Sequence, residues 1–109
     1  MIDSLSKQNL IVKIKSYIGF AKKSGNIKIG ADNILATSKN RVIIISEAVS
    51  DNTKNKLNNH SIKTKAIITT VIPEVANVLF DSENIKAIGI LDLNLANAIM
   101  DGLKKLEEA

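Results

Sequence analysis

Apolar positions along the chain switch between two periods. In residues 10–21, Leu10, Ile14, Tyr17, Ile18 and Ala21 recur every three or four residues with lysines beside them, which predicts a helix. Gly25 is a stop signal for it. Ile27 to Ile29 predicts a very short extended piece, and a second helix is expected from Gly30 to about Lys39. RVIII, residues 41–45, is an unbroken β-branched run and predicts a strand covered on both faces. Ser50 and Asp51 can cap a third helix running through Thr53, Lys54 and Leu57 to about Asn59. KAIIT, residues 65–69, predicts another buried strand. Pro73 and Glu74 open a fourth helix ending near Phe80, because proline at the first position loses no needed donor. IKAIGI, residues 85–90, predicts a further strand. Asp92 can cap a last helix whose Leu95, Ala96, Ile99, Leu103 and Leu106 share one face.

Strands separated by helices, with buried β-branched runs, predict a layered α/β sandwich. Single-helix crossovers favour parallel neighbours among the later strands. The short first strand is expected at an edge, in an antiparallel pairing. At 109 residues, with no internal repeat or low-complexity tract, the chain reads as one domain.

Composition narrows the chemistry. Apolar residues are 45% of the chain, but its aromatic residues are Tyr17, Phe20 and Phe80, so the core must be aliphatic. The absence of cysteine excludes disulfides, thiolate metal sites and a cysteine nucleophile. With His60 as the sole histidine, no metal and no cofactor is expected. No apolar run approaches the ~18 residues of a membrane span, and the first residues lack a signal-peptide core. A cytoplasmic protein without a membrane partner is expected. Phosphate-loop, dinucleotide and nucleophile-elbow motifs are missing. His60 closes the polar stretch KLNNHS and reads as a helix-end residue. Glu47 and Asp51 could flank a site, but Asp51 is equally a cap. No reaction assembles from these groups, so an enzyme is not expected.

Charge is distributed unevenly. Residues 1–65 hold twelve Lys/Arg against four Asp/Glu, a net of +8, whereas residues 66–109 hold three against seven, a net of −4. From Lys7 to Lys28 there are six lysines and no acid. Such a stretch suits a polyanion partner; it also suits a solvated face that keeps a protein soluble.

The sharpest local feature is AKKSGNIKIGADN. Lys22 and Lys23 precede a Ser-Gly turn, Lys28 follows, and Gly30 stands at an expected helix mouth. Free N-terminal amides attract phosphate, and a residue without a side chain lets a backbone approach. Asp32 and Asn33 in the first turn carry groups that read base edges. Each also has a structural role open to it, as turn glycine, dipole-favoured acid or solvated lysine.

Three blocks, IGFAKKSGNIKIGADNILA, RVIIISEAVSDNTKNKL and IGILDLNLANAI, resemble in order and spacing the ribosomal L-seven-Ae/L-thirty-e family, in particular its small bacterial ribosome-associated branch. The resemblance spans residues 9–106. It implies a three-layer α/β/α sandwich with a four-stranded mixed sheet. It also implies binding of structured RNA (kink-turns and related elements, in ribosomal or messenger RNA) beside ribosome components. By the same resemblance the contacts fall in the loop entering the second helix, in that helix's first turn, and in the loop after the last strand. Carried over by position, these are Gly25, Asn26, Lys28, Gly30, Asp32 and Asn33, with Leu91 and Leu93 as an apolar platform and Lys22 and Lys23 on phosphates. Leu91 can alternatively pack at the strand-to-helix corner. The sequence departs from the family where kink-turn binders have an Asn-Glu pair and, three residues on, a lysine. Here those places hold Asp32, Asn33 and Ala36. A protein-interaction module on the same fold, its RNA role lost through these changes, is the rival expectation. A recognition domain of the kind attached to RNA-modifying enzymes ranks behind both.

Overall fold

The computed structural model describes residues 4–108. Its elements alternate as α1 (Ser4–Ser24), β1 (Ile27–Ile29), α2 (Ala31–Leu35), β2 (Val42–Ser46), α3 (Asp51–Thr64), β3 (Ile67–Val71), α4 (Pro73–Phe80), β4 (Ala87–Ile90) and α5 (Leu93–Glu107). The four strands form one mixed sheet in the order β1-β4-β2-β3. β2 and β3 pair in parallel, and β4 runs antiparallel to both β1 and β2. So β1, β2 and β3 begin at one end of the sheet, and β4 ends there.

Helices cover both faces, giving the three-layer α/β/α sandwich. Alternation along β2 divides the core. Val42 and Ile44, with Ile88 and Ile90 of β4, pack under α1, α4 and α5 through Ile14, Ile18, Ala76, Leu79, Phe80 and Ile99. Ile43 and Ile45 turn to the other side, against Ile34 of α2 and Leu57 of α3. All five β2 residues are buried, as an unbroken apolar run requires of a central strand.

Four expectations are corrected. KAIIT lies not in a buried strand but on the β3 edge, with Ile67 55% exposed; an apolar run carries no sign of whether a strand has one neighbour or two. The last strand is antiparallel to its neighbours, because α4 and the turn after it return the chain to the far end before β4 is laid down between β1 and β2. α2 stops at Leu35, not near Lys39. Its end is diverted by polar side chains: Asn40 Nδ2 donates to Ile34 O (3.2 Å), Thr37 Oγ1 accepts from Lys39 N (3.2 Å), and His60 Nε2 lies 2.8 Å from Thr37 O. α3 runs on to Thr64 past the expected end at Asn59. Its Ser61 and Thr64 hydroxyls donate back to Asn58 O and His60 O, so these residues ride inside the helix. His60 is therefore an interior residue of α3 that ties it to the end of α2.

Candidate nucleic-acid interface

α1 ends in a turn that only glycine fills without strain. Gly25 has φ 72°, its N–H donates to Lys22 O, and Asn26 N–H donates to Ala21 O. The turn leaves Lys22 and Lys23 exposed in the last helical turn, where cations favour the negative helix end. Asn26 is then locked twice. Its Nδ2 donates to Ser24 Oγ (2.9 Å), and its carbonyl accepts from Leu91 N–H (2.9 Å). The loop after α1 and the loop after β4 are thus one surface.

Lys28 lies on the edge strand β1 opposite Gly89 of β4. Its neighbours Ile27 and Ile29 pack toward α1, so by alternation Lys28 faces the α2 side. A charged side chain here also guards the free edge against pairing with another strand. Gly30 follows, with φ 89° and ψ 151°, a conformation reserved for glycine. It donates to Ala87 O, and a Cβ placed on it would meet nothing within 4 Å. Its outward side is open to a close approach.

The ten residues singled out from sequence do not form one lip. Lys22, Lys23, Gly25, Asn26 and Leu91 gather at the end of the sheet where β1 begins, and Leu93 opens α5 at that same end. Gly30, Asp32 and Asn33 gather at the opposite end of β1, roughly 10 Å of strand away. Lys28 lies between the two groups. Leu91 and Leu93 therefore do not close the far side of the Gly30 mouth. Asn84, Ile85 and Lys86 stand beside Gly30 instead, lining a depression with Ala31, Val49 and Thr53. The mouth itself is a weaker anion site than the sequence suggested. α2 has five residues and so little aligned dipole, and it carries the exposed Asp32 in its first turn. Asn33 spends its amide N–H on Ile29 O (2.8 Å), leaving its carbonyl oxygen to accept from a base edge. Leu91 is half-buried at the corner and Leu93 is 53% exposed.

Sequence reasoning missed the residues that join Lys22 and Lys23. The α2–β2 loop brings Lys39 and Arg41 to this end, and the end of α3 brings Lys63 and Lys65. Arg41 N–H donates to Ile90 O (2.7 Å), fixing its place beside the loop after β4. Asp92, the carboxylate among them, accepts from Leu95 N–H (2.8 Å) as the cap of α5. Glu47, Asp51, Glu74 and Glu107 stand at the other end, mixed with Lys7 and Lys86. The signal was present in sequence as a cation flanking each strand start. It places these cations at one end only once β1, β2 and β3 are known to begin together.

Asn40 supports this end from inside. It is 3% exposed, and its Oδ1 has no hydrogen-bond partner. It lies so close to the Cα of Gly89 that a Cβ there would fall within 2.1 Å of that oxygen.

No family model matches the chain, and no curated protein matches it in sequence. Among solved structures it is similar to a protein with unknown function from Bacillus halodurans, with a TM-score of 0.72 and 16% identity over 84% of this chain and 97% of that one. The likeness shows the fold. Among the described residues no helix is long and apolar enough to cross a membrane, and no group of three or more His, Cys, Asp or Glu is placed to hold a metal ion.

Proposed function

We propose that the chain is an RNA-binding, ribosome-associated cytoplasmic protein without enzymatic activity, gripping structured RNA by its phosphates. One observation carries this reading. Six cations from the end of α1, the α2–β2 loop and the end of α3 lie at the end of the sheet where β1, β2 and β3 begin, and three of them, Lys39, Arg41 and Lys65, line one cleft there. Phosphate contacts of this kind supply affinity with little sequence preference. The surface continues along Lys28 to the open backbone of Gly30, where Asn33 offers an acceptor. The resemblance of the three sequence blocks to the L-seven-Ae/L-thirty-e family supports ribosomal or messenger RNA as the source of the ligand. Asp32, Asn33 and Ala36 argue that its target differs from a standard kink-turn: each lost charged contact weakens recognition by roughly 1–3 kcal/mol.

Affinity against salt tests the reading. Four to six phosphate contacts on a structured RNA predict a log–log slope of roughly −3 to −4. The Lys22→Ala/Lys23→Ala/Lys28→Ala variant should lose affinity for different structured RNAs alike and flatten the slope by about 2. Unchanged binding by that variant would move the interface elsewhere.

A further inference from the structure

The two edges of the sheet are finished differently. β1 carries Lys28, a charge that discourages a further strand. β3, at the opposite edge, reads IITTV and has neither a charge nor a proline. Ile67 N–H donates to Arg41 O and Val71 O accepts from Glu47 N–H, so residues 67, 69 and 71 bond to β2. Ile68 and Thr70 therefore turn their N–H and C=O groups outward, away from the sheet. Side chains alternate between the two faces. Ile68 packs toward α2 and α3 and Val71 toward α1, α4 and α5, so Ile67, Thr69 and Val71 share the latter face. At the end of β3 that face holds an apolar hollow of about 440 Å³, with Ile11, Val71, Val75 and Leu103 in its lining. At the start of β3 Ile67 projects from the same face. Exposed Lys65 precedes the strand and exposed Glu74 follows it.

We propose that two copies of this chain join their β3 strands antiparallel, about a two-fold axis beside Thr69, and so merge their sheets into one. The strand is complementary to its own reverse in backbone, in shape and in charge. With Thr69 opposite Thr69 of the second copy, Ile68 lies opposite Thr70. Such a pair exchanges both of its N–H···O bonds, so the outward N–H groups of both residues are used in each copy. Ile67 then falls opposite Val71 of the second copy, where side chains of a non-hydrogen-bonded pair approach within about 5 Å. Each Ile67 is thereby carried to the apolar hollow at the end of the other strand, and the two-fold axis makes the contact twice. Position 65 falls opposite position 73, so each Lys65 comes beside Glu74 of the other copy. A parallel pairing would set lysine on lysine and glutamate on glutamate, so charge decides the orientation. An unrelated peptide strand could satisfy the backbone alone; a second copy also supplies the projecting isoleucine and the matching charge. The proposal is independent of the RNA-binding reading. Lys22 and Lys23, beside β1 at the far edge of each sheet, stay uncovered. A strand pair of this length buries less than the roughly 1,200 Å² of a stable interface, so a reversible dimer in the micromolar range is expected.

Sedimentation velocity of the full chain from about 1 μM to 1 mM, the span of weak specific association, tests the pairing. The wild type should pass from monomer to dimer within that span. Ile67→Lys would bury an unpaired charge in the hollow and should weaken dimerisation at least about tenfold. The position is 55% exposed, so the monomer still folds, which a thermal melt checks. Thr69→Lys places like charges directly opposite each other on the axis and should have the same effect. Lys65→Glu and Glu74→Lys should each weaken dimerisation several-fold, and together they should restore it, with the difference fading at high salt. Amide hydrogen exchange reads the register. The Ile68 and Thr70 amides should slow as concentration rises, whereas those of Ile67, Thr69 and Val71 are already bonded to β2. A chain that stays monomeric across the span overturns the proposal. So does a dimer that both lysine variants leave intact, or one whose Ile68 and Thr70 amides exchange as in the monomer.

Discussion

At the residue scale, the backbone explains two of the glycines that drew attention to the loop. Gly25 is required by the end of α1, and Gly30 by a φ, ψ pair that other residues avoid. An RNA role is not needed to account for either, although a Cβ on either would meet nothing within 4 Å, so both leave the backbone open. Gly30→Ala should therefore destabilise the fold by about 1–3 kcal/mol through strain and not through a clash. Chemical denaturation measures it, as a lower midpoint with an unchanged m-value. An undiminished midpoint would mean that the loop relaxes freely. Asn33 shows why residue identity alone misled. Its amide looked free for a base, but half of it holds β1 to α2.

The element scale is where most of the sequence pattern held. Helices α4 and α5 lie close to the predicted spans because their apolar faces and end signals agree, and α1 ends where Gly25 predicts but begins at Ser4, six residues before the Leu10 from which its apolar period is read. Gly25 stops one, Pro73 opens another, and Asp92 caps the third with a 2.8 Å bond. Helices α2 and α3 were misjudged in length where serine, threonine and asparagine decide the matter. Those side chains can end a helix or bond back within it, and which they do depends on neighbours far along the chain, such as His60 beside Thr37. Close packing of α1 on α5 depends on Gly102, where a Cβ would lie 2.8 Å from Cγ1 of the fully buried Ile14. Gly102→Ala should cost about 1–2 kcal/mol from overpacking, despite the ~1 kcal/mol by which alanine favours a helix. A thermal melt that rises instead would show the α1–α5 seam to be loosely packed. For α2, Asn33→Glu with Ala36→Lys should restore measurable kink-turn binding if those positions alone distinguish this surface from a kink-turn binder. Glutamate supplies the missing anion for guanine, and lysine replaces a phosphate contact. Titration of a kink-turn RNA by gel shift reads the outcome, and no gain would mean that Asp32 or the α4–β4 turn also excludes that RNA.

On the scale of the whole molecule, charge is sorted by topology. The sequence showed that the first part of the chain is basic. It could not show that Lys22 and Lys23, Lys39 and Arg41, and Lys63 and Lys65 come from three separate elements to one end of a sheet. That follows from β1, β2 and β3 running in the same direction, with α1, the α2–β2 loop and α3 each delivering cations where a strand begins. The edge position of β3 and the reversed β4 were invisible for the same reason: strand order is a long-range property that local periodicity does not carry. So the layers of the sandwich were legible, while the candidate site was legible residue by residue and not as a shape. Helix-end lysines have a structural value of their own, a few tenths of a kcal/mol each with the helix dipole. That value does not explain Lys39 and Arg41, which cap no helix.

Ultraviolet crosslinking in cell extract, with the crosslinked peptides mapped and the attached RNA sequenced, addresses contact with RNA at the cationic end most directly. The expected adducts fall on residues 22–28, 39–41 and 91–97, joined to ribosomal or messenger RNA. Adducts confined to the opposite end, around Glu47 and Glu107, or abundant protein crosslinks with no RNA attached, would contradict it.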